Sequence, residues 1–168
     1  STWNTELAEK VGASLGRDAR HFNIDIVLTP ELNIQRDILN GQNFAYYSED
    51  PLLTGYMGAA YINGIQSQKV GASVSYFAAS NQEPARETIN VNISERALRE
   101  IYLTGFEIAV KNSAPYTVTT SYNKINGIYS SVNKNLVTTI LRSEWGYKGF
   151  VMSEWGASGA ITDPVLAQ

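Results

Sequence analysis

Two periodicities alternate along the chain. From about Thr5 to Phe22, Leu7, Val11, Leu15 and Ala19 recur every four residues, the spacing of one helical face. Asn4 stands where an N-cap belongs. The run Ile24 to Leu28 reads as a short buried strand. A polar loop follows to about Glu49, and Asp50-Pro51 opens a second helix as cap and first-turn proline. Its apolar face is Leu53, Met57, Ala60, Tyr61 and Ile65. Gly71 to Phe77 is a second strand, with another long polar loop behind it. Ser94 caps a third helix, whose apolar set is Leu98, Ile101, Leu103, Phe106 and Val110. Tyr116 to Tyr122, rich in β-branched residues, is a third strand. Beyond Asn123 to Gly127, Asn133 caps a fourth helix that runs to about Trp145 and stops at Gly146. Phe150 to Met152 is the fourth strand, and Asp163-Pro164 looks like the start of a fifth helix.

Helix and strand therefore alternate four times, which argues a parallel sheet with helical crossovers. Loops after strands are long and loops after helices are short. In such folds ligands bind at the carboxyl ends of the strands. The alternation fits a barrel segment or an open doubly wound sheet. A closed eight-stranded barrel needs about 250 residues, and this chain has 168. The expected class is α/β, a (β/α) TIM-barrel type present as an incomplete barrel with a parallel sheet over residues 1–168.

Composition changes this picture in few places. The chain is 43% hydrophobic and 17% charged, ordinary for a globular domain. A net charge of -3 leaves no basic excess to neutralise phosphates, so nucleic acid is not an expected partner. Apolar runs fall short of the ~20 residues of a membrane helix, so no membrane partner is expected either. The absence of cysteine removes disulfides and thiolate metal sites. Ten tyrosines and three tryptophans suit core packing first and sugar rings second. The amino terminus is neither a signal peptide nor a methionine start, so the chain is expected to begin inside a longer protein.

Candidate chemistry lies at the strand tips: Thr29-Pro30, Ser75-Tyr76, Ser121 to Asn123, and Ser153-Glu154-Trp155. Glu154 follows an apolar strand directly, as a barrel enzyme presents a catalytic carboxylate. It is the best single candidate for a nucleophile or acid. Glycosidases pair two carboxyl groups. Possible partners are Asp37, Glu49, Asp50, Glu83 and Glu87, though Asp50 reads first as a cap and Asp37 reads equally as the ion-pair partner of Arg36 in its own loop. The lone histidine, His21, sits at a helix carboxyl end, where its charge is favoured, and without clustered ligands no metal or cofactor is expected. There is no GxSxG elbow and no phosphate loop. Asn92 to Ser94 match a glycosylation sequon, but Ser94 reads more strongly as a helix cap.

Several colinear segments resemble the barrel domain of the family-3 glycoside hydrolases, the β-glucosidase group. They are "STWNTELAEKVGASLGRDAR", "NIQRD", "GQNFAYYSEDP", "YINGIQSQKVGASVSYFAASNQE", "ISERALREIYLTGFEIAVK", "SYNKINGIYSS" and "LRSEWGYKGFVMSEWGA". They span nearly the whole chain and look most like bacterial secreted or periplasmic members. The resemblance implies a carbohydrate ligand, namely a β-glucoside. It places Glu154 at the nucleophile position, where the family has aspartate. Ser75-Tyr76 stand where the family has a lysine-histidine pair on substrate hydroxyls. Gln42 replaces an arginine, and Ala45 a glutamate. Arg36, Asp37, Gln42, Ser75, Tyr76, Tyr122 and Trp155 are the implied substrate-binding positions. The resemblance also implies a second α/β domain carrying the general acid, and an additional amino-terminal barrel segment.

The departures concentrate at sugar-contacting positions while the scaffold motifs stay intact. That pattern points to an inactivated relative or an engineered chain. Three readings stay open: a weakened or inactive β-glucosidase barrel, a non-catalytic sugar-binding or scaffold domain, and a structural fragment that needs a partner. An open barrel leaves a sheet edge uncovered, so association with further parts of the same protein or with a second copy is expected.

Overall fold

The computed structural model describes residues 2–157. The expected fifth helix at Asp163-Pro164 lies outside them. Helix α1 (Thr5–His21) begins where Asn4 Oδ1 accepts from the Leu7 amide at 2.9 Å. Strand β1 (Ile26–Val27) is followed by a long loop and then by helix α2 (Pro51–Ser67), capped by Asp50 on the Leu52 amide at 2.8 Å. Strand β2 (Gly71–Phe77) has the expected bounds. After β3 (Asn90–Val91), Ser94 caps a composite helix. It is built of α3 (Glu95–Ala97), a π-helical turn (Leu98–Tyr102) and α4 (Thr104–Ser113). Strand β4 (Thr117–Thr120) leads to the hairpin of β5 (Lys124–Ile125) and β6 (Ile128–Tyr129). A wide-turned helix (Asn135–Glu144), capped by Asn133, precedes β7 (Phe150–Ser153).

The main sheet has the order β1-β2-β4-β7, parallel throughout, an open arc and not a closed barrel. Two hydroxyls cross its inner face, with Ser73 Oγ 2.8 Å from Thr119 Oγ1. Ala72, Val74 and Val118 are fully buried. Phe77 meets Phe106 and Trp145 edge to face, at centroid distances of 5.2 and 5.8 Å. These three rings join sheet to helices in the centre of the core. The Tyr147 hydroxyl lies 3.1 Å from the carbonyls of both Tyr116 and Phe150, tying the starts of β4 and β7 together.

Four expectations are corrected. The first strand is two residues long and not buried: Ile24, Ile26 and Leu28 are each exposed, because β1 is the sheet edge and no further strand covers it among the described residues. Helix α2 buries more than one stripe. It is packed between α1 and α4, so Thr54, Gly58, Ala59 and Ile62 are buried along with Met57 and Ile65, while Leu53, Ala60 and Tyr61 are half-buried. The α1–α2 crossing is close enough that a Cβ at Gly12 would run into the Tyr61 carbonyl, and one at Gly64 into the Glu9 carbonyl. In the third helix, Ile101 is exposed. The π turn, closed by the Leu103 amide on the Leu98 carbonyl at 2.9 Å, inserts one residue and rotates Ile101 off the apolar face. Finally, α1 turns Ala8, Gly12, Gly16 and Ala19 inward against α2 and leaves Leu7 and Val11 of the expected apolar face exposed. Asn126 and Gly127 both have positive φ, 50° and 89°, and turn the β5–β6 hairpin, an Asn-Gly signal of known strength. With β3 parallel to β5, the hairpin forms a second, three-stranded sheet.

Candidate active site

Carboxyl ends of the four main strands converge, and the loops behind them carry the polar groups. Glu154 follows β7 directly and is buried, 8% exposed. Tyr122, two residues beyond β4, donates its hydroxyl to Glu154 Oε1 at 3.2 Å. The Tyr76 ring, from the tip of β2, stands 6.0 Å from the Tyr122 ring at a tilt of 49°. On Tyr122 lies the Arg86 guanidinium, 4.4 Å from the ring centroid, with Nη1 3.3 Å from Glu83 Oε2. The group is therefore one carboxylate held by a phenol, a second phenol alongside, and one arginine–glutamate pair above.

The frame that holds these tips is a set of side chain to backbone bonds. Buried Asn33 donates to the Tyr76 carbonyl at 2.8 Å and accepts from the Ser80 amide at 3.0 Å, which clamps both sides of the β2 tip. Tyr46 donates to the Ser80 carbonyl at 2.6 Å. Ser121 donates to the Ala78 carbonyl at 2.8 Å, and its amide bonds the Phe77 carbonyl, so the β4 tip is fixed to the β2 tip. The peptide bonds Ser75–Tyr76 and Phe77–Ala78 are cis, at the point where the β2–β4 register slips.

Glu31 joins this group from the β1 side. Its backbone bridges to Ser75, with Leu32 N on the Ser75 carbonyl at 2.7 Å and Ser75 N on the Pro30 carbonyl at 3.0 Å. Burial, and then the charges of Glu154 and Glu83, push the Glu31 carboxyl above its ordinary range. Its Oε2 is buried without a hydrogen-bond partner among the described residues. Burial and the charges of Glu31 and Glu154 push Tyr76 up to about 12, against the pull of Arg86. A phenol so raised stays protonated and can donate a hydrogen bond. Beside Glu31 opens a cavity of about 420 Å³, lined also by Phe44, Tyr46, Tyr47 and Tyr61.

The other sequence-derived positions are placed as follows. Ser75 is buried next to Glu31. Gln42 is half-buried in the loop after β1, its amide 3.3 Å from Asn40 Oδ1. Asp37 accepts from the Leu39 amide at 2.9 Å in a local turn. Arg36 is exposed and lines a groove with Gln35, Ile38 and Glu49, without a described contact to Tyr122 or Glu154. Trp155 is 72% exposed. Glu87 and Glu49 are exposed, and Asp50 is a helix cap. His21 is exposed at the end of α1. Sequence reasoning missed Arg86, Glu31 and Asn33. Arg86 was signalled by its place three residues after Glu83 in a loop behind a strand tip, and Glu31 by its place directly after the Thr29-Pro30 tip. Asn33 gave no signal beyond being polar in a loop.

The profile of the glycosyl hydrolase family 3 N-terminal domain matches residues 1–167. The chain belongs to glycosyl hydrolase family 3. It is 49% identical over 156 residues to the thermostable β-glucosidase B of Acetivibrio thermocellus, which covers 93% of this chain and 21% of that protein. Among solved structures it is similar to the family-3 β-glucosidase of Bifidobacterium adolescentis, with 46% identity and a TM-score of 0.95 over 99% of this chain and 24% of that one. It is also similar to β-glucosidase 3B of Thermotoga neapolitana, solved in complex with α-D-glucose, with 53% identity and a TM-score of 0.91 over 92% of this chain and 22% of that one. The chain thus spans about a fifth of the length of these family-3 relatives. The partial barrel is that of the family's amino-terminal domain.

Proposed function

We propose that the chain is a glycoside-hydrolase barrel domain whose ancestral chemistry is retaining hydrolysis of terminal β-glucosides, weakened or lost in this sequence. The observation that carries this reading is Glu154: a buried carboxylate at the end of a barrel strand, with Tyr122 holding one oxygen. In a retaining reaction this carboxylate attacks the anomeric carbon as the leaving oxygen takes a proton from an acid, and water then releases the sugar. The kinship with β-glucosidases, one of them crystallised with glucose, supports a carbohydrate as the ligand.

Weakening follows from the substitutions. Glutamate is one methylene longer than the aspartate that the family resemblance places here, which moves the nucleophile by about 1 Å, an error on the order of 100-fold in rate. Neutral Gln42 and Ser75 offer none of the charge-assisted hydrogen bonds, about 1.5–3 kcal/mol each, of an arginine and a lysine. The general acid that the resemblance assigns to a second domain lies outside these residues. Exposed Ile24, Ile26 and Leu28 on the β1 edge support docking of further parts of the same protein or self-association. A secreted or periplasmic location is part of the proposal and rests on the resemblance of the motifs to bacterial secreted members alone. The second reading, a sugar-binding domain without catalysis, is favoured by the neutral Gln42 and Ser75.

Release of nitrophenol from an aryl β-glucoside tests the proposal. The chain should be very slow or inactive. The combined variant Gln42→Arg, Ser75→Lys, Tyr76→His and Glu154→Asp should gain little without an acid. Robust turnover by the unmodified chain, abolished by Glu154→Gln, would mean that Glu154 is a competent nucleophile and that the weakening is wrong.

A further inference from the structure

Asparagine is followed by glycine at three places: Asn40-Gly41, Asn63-Gly64 and Asn126-Gly127. Such a pair can modify itself. The glycine backbone nitrogen attacks the side-chain amide carbon Cγ, and the missing Cβ lets it approach. An N–Cγ bond forms, the Cγ–Nδ2 bond breaks, and ammonia leaves with the proton of the attacking nitrogen. Water then opens the cyclic imide to aspartate or isoaspartate. No cofactor or oxidant takes part. The local chemistry is the same at all three places, so the surrounding structure ranks them.

Asn63-Gly64 lies inside helix α2, where the Gly64 amide belongs to the helical ladder and Gly64 is buried. At Asn126-Gly127 both reacting groups are engaged elsewhere. The Gly127 amide donates to Asn90 Oδ1 at 2.6 Å. Asn126 Oδ1 accepts from the Ile93 amide at 2.9 Å, and Nδ2 donates to the Ile93 carbonyl at 2.8 Å. Asn40-Gly41 is arranged differently. Gly41 is exposed, and its amide has no hydrogen-bond partner among the described residues. Asn40 Nδ2 is buried without a well-formed hydrogen bond, the Tyr46 hydroxyl being its polar neighbour. Asn40 Oδ1 accepts from the Gln42 amide at 3.3 Å, which places a donor on the oxygen that gains charge as the nitrogen attacks.

We infer that Asn40 deamidates in the folded protein, whereas Asn63 and Asn126 do so only when their helix or hairpin opens. The reaction needs no ligand and is independent of sugar binding. Its product burdens the fold. Asn40 is 5% exposed, and Glu31 and Glu83 already act on neighbouring Tyr46, whose hydroxyl holds the Ser80 carbonyl. A carboxylate at position 40 adds a buried charge with no cation to pair it, and such a charge is costly. The loop that carries Gln42 therefore loosens as the protein ages.

Incubation of the full chain in warm, mildly alkaline buffer, followed by peptide mapping, reads amide-to-acid exchange at all three positions at once. The same chain unfolded in urea supplies the reference rates. Folded, Asn40 should convert within about tenfold of its unfolded rate. Asn126, held by three hydrogen bonds with its glycine, should convert on the order of 100-fold below its own. Asn63 should stay unconverted while the helix stands. Gly41→Ala adds a Cβ in ordinary contact, 3.4 Å from Glu83 Cγ, and should slow Asn40 about tenfold with Asn126 unchanged. The converted chain should melt at a lower temperature than the unconverted one. Asn40 protected as strongly as Asn126, or Asn126 converting first, overturns the inference. Undiminished conversion of Asn40 in folded Gly41→Ala overturns the imide route. Equal melting of converted and unconverted chains overturns the loosening. Should Gly41→Ala not fold, the folded-to-unfolded rate ratios of the three positions in the unmodified chain decide.

Discussion

The centre of the sheet and its carboxyl-end rim are built on opposite terms. In the centre, Val74, Phe77, Val118 and Phe106 are fully buried within one apolar cluster, and the Ser73 and Thr119 hydroxyls beside them are paired with each other. At the rim, a few residues further along the same strands, Glu154 is a buried carboxylate, and Glu31 keeps an oxygen out of water without a partner among the described residues. The centre is optimised for packing. The rim keeps polar groups desolvated and incompletely paired, an arrangement that costs stability and is expected where a ligand completes the pairing. Strands fixed by packing below hold the tips still above, so the two regions should respond to mutation in opposite ways.

The largest effect should come from the centre. Phe106→Ala removes a ring packed 5.2 Å from Phe77. It should cost about 3–5 kcal/mol in denaturant-induced unfolding, by loss of burial plus a cavity. Tyr122→Phe at the rim removes one hydroxyl from Glu154 and should cost about 1 kcal/mol, while weakening sugar binding more than Phe106→Ala does in the fraction that stays folded. Equal stability losses for the two would break the contrast between centre and rim.

The centre is legible in the sequence only in part: apolar strand runs mark it, whereas helical periodicity misleads in α1, where Leu7 and Val11 are exposed and the small residues Ala8, Gly12 and Gly16 are buried against α2. The apolar runs mark the strands Gly71 to Phe77, which is buried, and Phe150 to Met152, an edge strand with Phe150 exposed, and cap chemistry marks Asn4, Asp50, Ser94 and Asn133. The rim was legible only residue by residue. Glu154 stood out because it ends an apolar strand. Arg86, which lies over the Tyr122 ring, is in a loop with no period and gives no comparable signal. Glu31 and Asn33 reach the site through a backbone bridge and two carbonyl contacts that no local pattern encodes. The exposed Ile101 was missed for a different reason: a regular helical period cannot foresee a π turn.

A smaller effect separates the regions by pH. Burial, then the charges of Glu154 and Glu83, raise the Glu31 carboxyl above the value of about 4.3 that a glutamate has in an unfolded chain. The folded state therefore binds this proton where the unfolded state has released it. Stability from this group falls as pH rises from about 4.3 through the raised folded pKa. Glu31→Gln should accordingly stabilise the protein near neutral pH and not near pH 4, by thermal unfolding across that range. A variant less stable than the unmodified chain at neutral pH would show that Glu31 is better paired than the rim account allows.

The most direct measurement is a glucose titration followed by NMR of the backbone amides and tyrosine rings. The account predicts shifts gathered at Tyr76, Arg86, Tyr122 and Glu154, fading toward Phe77 and Phe106. Shifts centred on the opposite end of the strands, around Tyr116 and Tyr147, or none at millimolar glucose, would contradict a sugar site at the carboxyl-end rim.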